Sequence, residues 1–264
     1  MPFLEGPRPR LFAHRGSSGT MPENTLESFI AGIEAGADRI ELDVHATSDG
    51  HVIVLHDEHL GRTTNGTCLV REITLQQLKQ LDAGHTFSTD GTSFPYRGKG
   101  ITVPTLDEVL QALPQVPVNI EIKQLKPAIQ EAVIDVLDRN HARDRVMLAG
   151  VDQRVLERVR SLAPDIATSF SAMEVASFIS LVQSEALDNY DPPGRALQVP
   201  SSYEGTEIVS PGFVDAAHEL GLEVHVWTVN EEREMERLLD LGVDGLMSDF
   251  PARAREVLVR RGLR

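Results

Sequence analysis

A chain of 264 residues, 41% of them hydrophobic, is long enough to bury one large core and suits a single barrel of about 250 residues. A formal net charge of −15 argues against nucleic acid or an anionic membrane as partner, since both repel such a surface. One cysteine, Cys68, excludes an intrachain disulfide; with no apolar signal-peptide core in the first ten residues and no run near the ~18 apolar residues of a membrane span, the chain reads as soluble and cytoplasmic.

The first β-rich run, residues 10–13, ends in His14-Arg15-Gly16, and Pro22-Glu23-Asn24-Thr25 then opens a helix, with Asn24 read as the cap and Glu27 three residues on. The second run, 39–44, carries Glu41 and Asp43 on one face, because strand side chains alternate with period two. A further apolar stretch, 52–55, ends on His56-Asp57. From about 57 to 103 the chain is rich in Gly, Thr and Ser, with one short helical piece at 75–81. Loops this long inside a compact domain are functional or structured in their own right. We read this one as an insertion between the second strand and its helix, lying over the C-terminal mouth of a barrel.

Thr105 and Glu108 make a capping box for the next helix. The third run, 118–122, repeats the i, i+2 spacing with Glu121 and, just past its end, Lys123. Further runs at 146–149, 166–170, 196–199, 223–228 and 245–248 alternate with helical patterns. Ser210-Pro211 and Asn230-Glu231-Glu232 begin two of those helices; in the second, Met235, Leu238 and Leu239 form an apolar stripe. Gly221 and Gly242 fall where left-handed C-caps are wanted. Eight strands, each followed by a helix, give an α/β (β/α)8 barrel as the economical reading, with a doubly wound open sheet as the alternative. No internal repeat or second domain emerges, so residues 1–264 are expected to form one domain with an insertion at about 57–103.

Functional side chains cluster at the expected strand ends. Glu41, Asp43 and Glu121 are all-oxygen ligand candidates on strands that should be neighbours, and such a set favours Mg2+ or Ca2+ over zinc. The bland alternative is that each carboxylate pairs with a basic residue. His14 and His56 are the acid–base candidates, since histidine carries a proton near neutral pH. Arg15 and Lys123 are candidates to stabilise negative charge developing on a bound substrate, with structural ion pairing as the alternative. His45 shares a face with Asp43 and could touch the pocket; His225 is read as packing. Trp227, the only tryptophan, is either a substrate wall or core. No G-x-S-x-G elbow, P-loop, HExxH helix or CxxC pair is present.

The set His14-Arg15-Gly16, Pro22-Glu23-Asn24-Thr25, Glu41-x-Asp43, Asp49-Gly50, His56-Asp57, Arg62-Thr63-Thr64 and Glu121-x-Lys123 resembles the glycerophosphodiester phosphodiesterase family. The run from Val224 to Asn230 and the later Gly242-Val243-Asp244-Gly245 are similar to that family's closing segment. The resemblance implies hydrolysis of small-molecule glycerophosphodiesters to glycerol 3-phosphate and an alcohol, with no stable membrane association. It implies a divalent cation on Glu41, Asp43 and Glu121, and it tips Trp227 towards the substrate wall. We assign His14 as acid and His56 as base, with water or the substrate's own glycerol hydroxyl as nucleophile. For an anionic substrate on so acidic a chain, the cation, Arg15 and Lys123 must invert the potential locally. Three rivals remain. A lysophospholipase D-like enzyme needs an apolar groove, which an insertion with only Phe87, Phe94 and Tyr96 as aromatics does not advertise. A non-catalytic phosphate-binding barrel and an enolase-type lyase complete the set.

Overall fold

The computed structural model describes residues 2–264; Met1, first residue of the expected domain, lies outside them. Eight parallel strands form the barrel wall: β1 (Arg10–His14), β2 (Arg39–Ala46), β4 (Val118–Ile122), β5 (Val146–Ala149), β6 (Ala167–Thr168), β7 (Ala196–Pro200), β10 (Glu223–Trp227) and β11 (Gly245–Ser248). Their order is β6-β5-β4-β2-β1-β11-β10-β7. A bridge between Ser169 and Ala196 joins the two ends, which an open doubly wound sheet cannot do. β6 is the shortest wall strand; the segment expected as 166–170 pairs regularly only over two residues.

Helices α1 (Leu26–Glu34), α3 (Leu106–Ala112), α4 (Gln130–Arg139), α5 (Gln153–Leu162), α6 (Ala172–Gln183), α7 (Pro211–Glu219), α8 (Glu232–Asp240) and α9 (Pro251–Arg260) lie between the strands. Met235, Leu238 and Leu239 of α8 are buried against the wall as their spacing requires. Gly221 and Gly242 end α7 and α8 at φ +70° and +81°. Two caps differ from expectation. Thr25 caps α1 through a bond from the Ser28 amide, and Glu231 stands at the cap of α8. Asn24 and Asn230 turn into the barrel mouth instead, because each has a carboxylate there to bond.

The segment between β2 and α3 holds β3 (Val52–Val54), antiparallel to β2, and the one-turn helix α2 (Leu75–Leu78). It buries a core of its own around Ile53, Leu60, Val70, Leu78, Ile101 and Val103. Its two ends meet where the Val54 amide donates to the Pro104 carbonyl, so the excursion leaves the β2–β4 pairing intact. A two-stranded ribbon, β8 (Ser202–Tyr203) and β9 (Thr206–Glu207), stands at the end of β7.

At the opposite end a 3-10 turn at Pro2–Leu4 inserts Phe3 beneath Phe12, Met147 and Met247. Buried Arg39 donates to the Phe3 carbonyl and buried Arg10 to the Glu5 carbonyl. Arg10 also grips Glu223 at 2.6 and 2.7 Å, and His225 lies 2.9 Å from the same carboxylate. Burial opposes ionisation of Glu223, but the Arg10 and His225 bonds outweigh it and hold the carboxyl well below its ordinary range. Removing one partner of a buried ion cluster strands the others. Glu223→Ala is expected to cost roughly 3–5 kcal/mol in urea unfolding at neutral pH. The deficit should shrink progressively as pH falls below about 4, where the unfolded chain's carboxyl takes up a proton that the folded one still resists. A loss below about 1 kcal/mol at neutral pH would show that Arg10 finds compensation elsewhere.

Candidate active site at the barrel mouth

Register brings the acidic residues together. β1 and β2 pair His14 with Glu41, and β2 and β4 pair Asp43 with Glu121. One oxygen from each of Glu41, Asp43 and Glu121 lies within 4.8 Å of the others, and Glu41 and Asp43 are buried. Like charges this close in a buried site repel strongly. Burial and the neighbouring Asp43 push Glu41 up to about 7. Asp43 goes the other way: burial opposes, but Lys123, Arg15, His56 and the Asn24 amide hold it below its ordinary value. Lys123 Nζ stands 2.8 Å from Glu121 and 3.3 Å from Asp43, and Arg15 Nε stands 3.2 Å from Asp43. The cationic partners are therefore present, with Lys123 facing the buried Asp43 Oδ1 and Glu121 Oε1, while the buried Asn24 Oδ1 has no hydrogen bond in the protein.

The turn after β1 sets Arg15. Arg15, Gly16 and Asn24 all adopt positive φ, at 55°, 87° and 57°. A Cβ on Gly16 would lie 2.3 Å from Ser28 Oγ, so only glycine lets the turn pack on α1. This tight path aims the Arg15 amide at Glu41 Oε2, 3.1 Å away, and its guanidinium at Glu23 and Asp43.

The two histidines share the same attachment, each with Nδ1 against an aspartate. His14 Nδ1 lies 2.6 Å from Asp249 Oδ1, leaving Nε2 3.9 Å from Glu41. His56 Nδ1 lies 2.5 Å from Asp57 Oδ1. Asp57 is held in turn by Arg62 Nε, which together with His56 outweighs burial and brings its carboxyl down to about 2. Arg62 makes a two-pronged bond to Glu23, which also accepts from Arg15. An alternating chain of charge thus ties the excursion after β2 to the turn after β1. His45 reaches this region only indirectly, its Nε2 lying 3.0 Å from the His56 carbonyl oxygen.

Trp227, at the end of β10, is 40% exposed and stands at the rim rather than in the core. It borders a cleft of about 450 Å3 that starts at Glu121 and runs between Phe170, Ile179, Val199 and Tyr203. A second cleft, about 700 Å3, opens on the other side of Lys123 past His56, Arg71 and Lys126. His225, as expected, is buried in the floor. Sequence reasoning did not single out Asp249, Asn230, Glu23, Asn24 or Arg62 as site residues. Asp249 carried a usable signal, a carboxylate one position past the last strand.

The glycerophosphoryl diester phosphodiesterase family model matches residues 14–253. A glycerophosphodiester phosphodiesterase of Caldanaerobacter subterraneus subsp. tengcongensis is 35% identical over 257 residues, covering 96% of this chain and 98% of the relative. One from Bacillus altitudinis is 35% identical over 259 residues, covering 94% and 97%. A solved structure of an Oleispira antarctica phosphodiesterase, in complex with the product sn-glycerol-3-phosphate, superposes with a TM-score of 0.78 at 30% identity, covering 96% of this chain and 97% of that one. Both the matched residues and the barrel lead to one conclusion: the chain belongs to the glycerophosphoryl diester phosphodiesterase family.

Proposed function

We propose that this enzyme hydrolyses glycerophosphodiesters to glycerol 3-phosphate and an alcohol, with Glu41, Asp43 and Glu121 holding Mg2+ or Ca2+ and with His14 and His56 moving the protons. The observation that carries the reading is the trio itself. Three carboxylates, two of them buried, converge within 4.8 Å, an all-oxygen arrangement that suits a hard cation. When bound, such a cation supplies Lewis-acid stabilisation of charge on a phosphoryl oxygen. Arg15 and Lys123, both at the same carboxylates, add fixed positive charge where an anionic substrate has to arrive. The sn-glycerol-3-phosphate product of the Oleispira enzyme supports a small-molecule substrate for this chain too.

The surroundings of the two aspartates divide the histidine roles. Apart from His14, Asp249 is bonded by the neutral side chains Asn230 and Ser18, whereas Asp57 shares its charge with Arg62. The full charge of Asp249 therefore bears on His14. Burial opposes protonation of that ring, but Asp249 and Glu41 outweigh it and raise its pKa. His14 is the acid: its Nε2 proton goes to the leaving alcohol oxygen as the P–O bond breaks. His56 is the base, taking the proton of the water or glycerol hydroxyl as the new P–O bond forms.

A second reading, favoured by the cleft between Phe170, Ile179 and Trp227, is a lysophospholipase D-like enzyme on single-chain lipids. The groove lies beside β5 to β7 rather than in the excursion after β2. Glycerol has no use for such walls, but an acyl chain does. Ile179→Asp is expected to cut turnover of lysophosphatidylcholine at least tenfold while leaving glycerophosphocholine within about twofold. Equal effects on both substrates would remove this reading and leave the first intact.

Stripping divalent cations should abolish glycerophosphocholine turnover, and Mg2+ or Ca2+ should restore it; full activity in excess chelator on stripped enzyme would sink the cation assignment. His14→Ala and His56→Ala should each lower turnover about 10²-fold or more with little change in cation affinity. A nitrophenyl ester, whose leaving group needs no proton, should rescue His14→Ala and not His56→Ala. The opposite rescue would exchange the roles.

A further inference from the structure

We propose that Asp249, clamped by Asn230, is a positioning residue for His14, fixing which ring nitrogen faces the reacting phosphate. The inference rests on the reading of His14 as proton donor and adds the device that orients it. β1 and β11 pair with Ala13 opposite Ser248, so His14 and Asp249 each stand one residue beyond the paired ends, side by side. Their side chains meet at 2.6 Å across 235 residues of sequence.

Every polar atom of Asp249 is engaged. Oδ1 accepts from His14 Nδ1 and lies 2.8 Å from Ser18 Oγ, while Oδ2 accepts from Asn230 Nδ2 at 2.7 Å. Asn230 is itself fixed, its Oδ1 accepting from the Asp249 amide at 2.9 Å and from Ser248 Oγ at 3.2 Å. The Asp249 carbonyl accepts from the Gly19 amide at 2.9 Å, which ties the clamp to the loop that follows His14. Among the described residues, the only ion pair of Asp249 is with His14.

An ionised carboxylate accepts hydrogen bonds and donates none. Nδ1 of His14 therefore keeps its proton throughout, and Nε2, the nitrogen on the Glu41 side, is the one that gives and regains a proton. Without the clamp the ring is free to rotate about its bond to Cβ or to take the other tautomer. Either change turns the exchangeable proton away from the substrate without disturbing the cation ligands. Among the described residues Asp249 makes no hydrogen bond or ion pair with the trio, so its route to the chemistry runs through His14.

The test is a double-mutant cycle on glycerophosphocholine with Asp249→Asn, Asp249→Ala and His14→Ala. The amide of Asp249→Asn can serve only one of its two neighbours: an oxygen towards His14 sets its NH2 against that of Asn230. Both Asp249 variants are expected to lower kcat about 10²-fold with KM, divalent-cation affinity and Tm close to those of the parent. In the His14→Ala background, Asp249→Asn should add less than about twofold, because residues acting as a unit are not additive. The nitrophenyl ester that rescues His14→Ala should rescue Asp249→Asn as well. Parent-like kcat in Asp249→Asn, or a full additional loss in the double variant, would overturn the proposal while leaving His14 as acid. Parent-like turnover in His14→Ala would overturn both.

Discussion

Holding three carboxylates against one another inside a protein is the constraint on which the rest of this molecule turns. Left alone, such a cluster would protonate or swell. Here it is pinned by adjacent parallel strands whose register leaves no freedom to separate Asp43 from Glu121. The compensating charges come from short chain excursions, Arg15 from a turn with three positive-φ residues and Lys123 from the residue just past β4. Rigid strands supply the repulsion and adjustable loops the relief. The result is a split, with Glu41 raised towards neutrality and Asp43 kept ionised.

How much of this was legible follows from the distance over which each feature is encoded. Glu41 and Asp43 share a face by alternation alone, and the same rule ties Glu121 to Lys123, so the trio and its ammonium could be read locally. The caps were harder. Asn24 and Asn230 have the chemistry of helix caps, but Asp43 and Asp249 compete for their amides across the barrel. Tertiary partners won, and Thr25 and Glu231 took over the helix starts. Asp249 shows only its place one position past the last strand, and the partner that gives it meaning, His14, is 235 residues away. The apolar cleft lies away from the insertion: apart from Glu121 and Trp227, its walls come from the ends of β5 and β7, the turn after β6, α6 and the ribbon after β7, segments that carry no motif.

Net charge and local charge part company here. The molecule carries −15 overall, yet Arg15, Lys123, Arg62 and Arg71 gather around the mouth near both histidines. Each of them is paired with carboxylates, Arg62 with Glu23 and Asp57 and Arg71 with Glu58, so the opening is a lattice of alternating charge within an acidic molecule. The excursion after β2 contributes to it directly, since Arg62 links Glu23 to Asp57 and so joins the two sides of the mouth.

The floor of the barrel has a consequence for how the chain is made. Arg10 leaves the ribosome 213 positions ahead of its counter-charge, Glu223. Until β10 emerges, a nascent chain carries an arginine that is destined for burial and has nothing to neutralise it. β1 also waits for β11, its neighbour on one side. Contacts of such long separation close slowly, because the loop entropy is lost before the contact rewards it. The half-built barrel therefore has every reason to stay open during synthesis. Its first strand and its floor are completed together, and only after β10 and β11 are available.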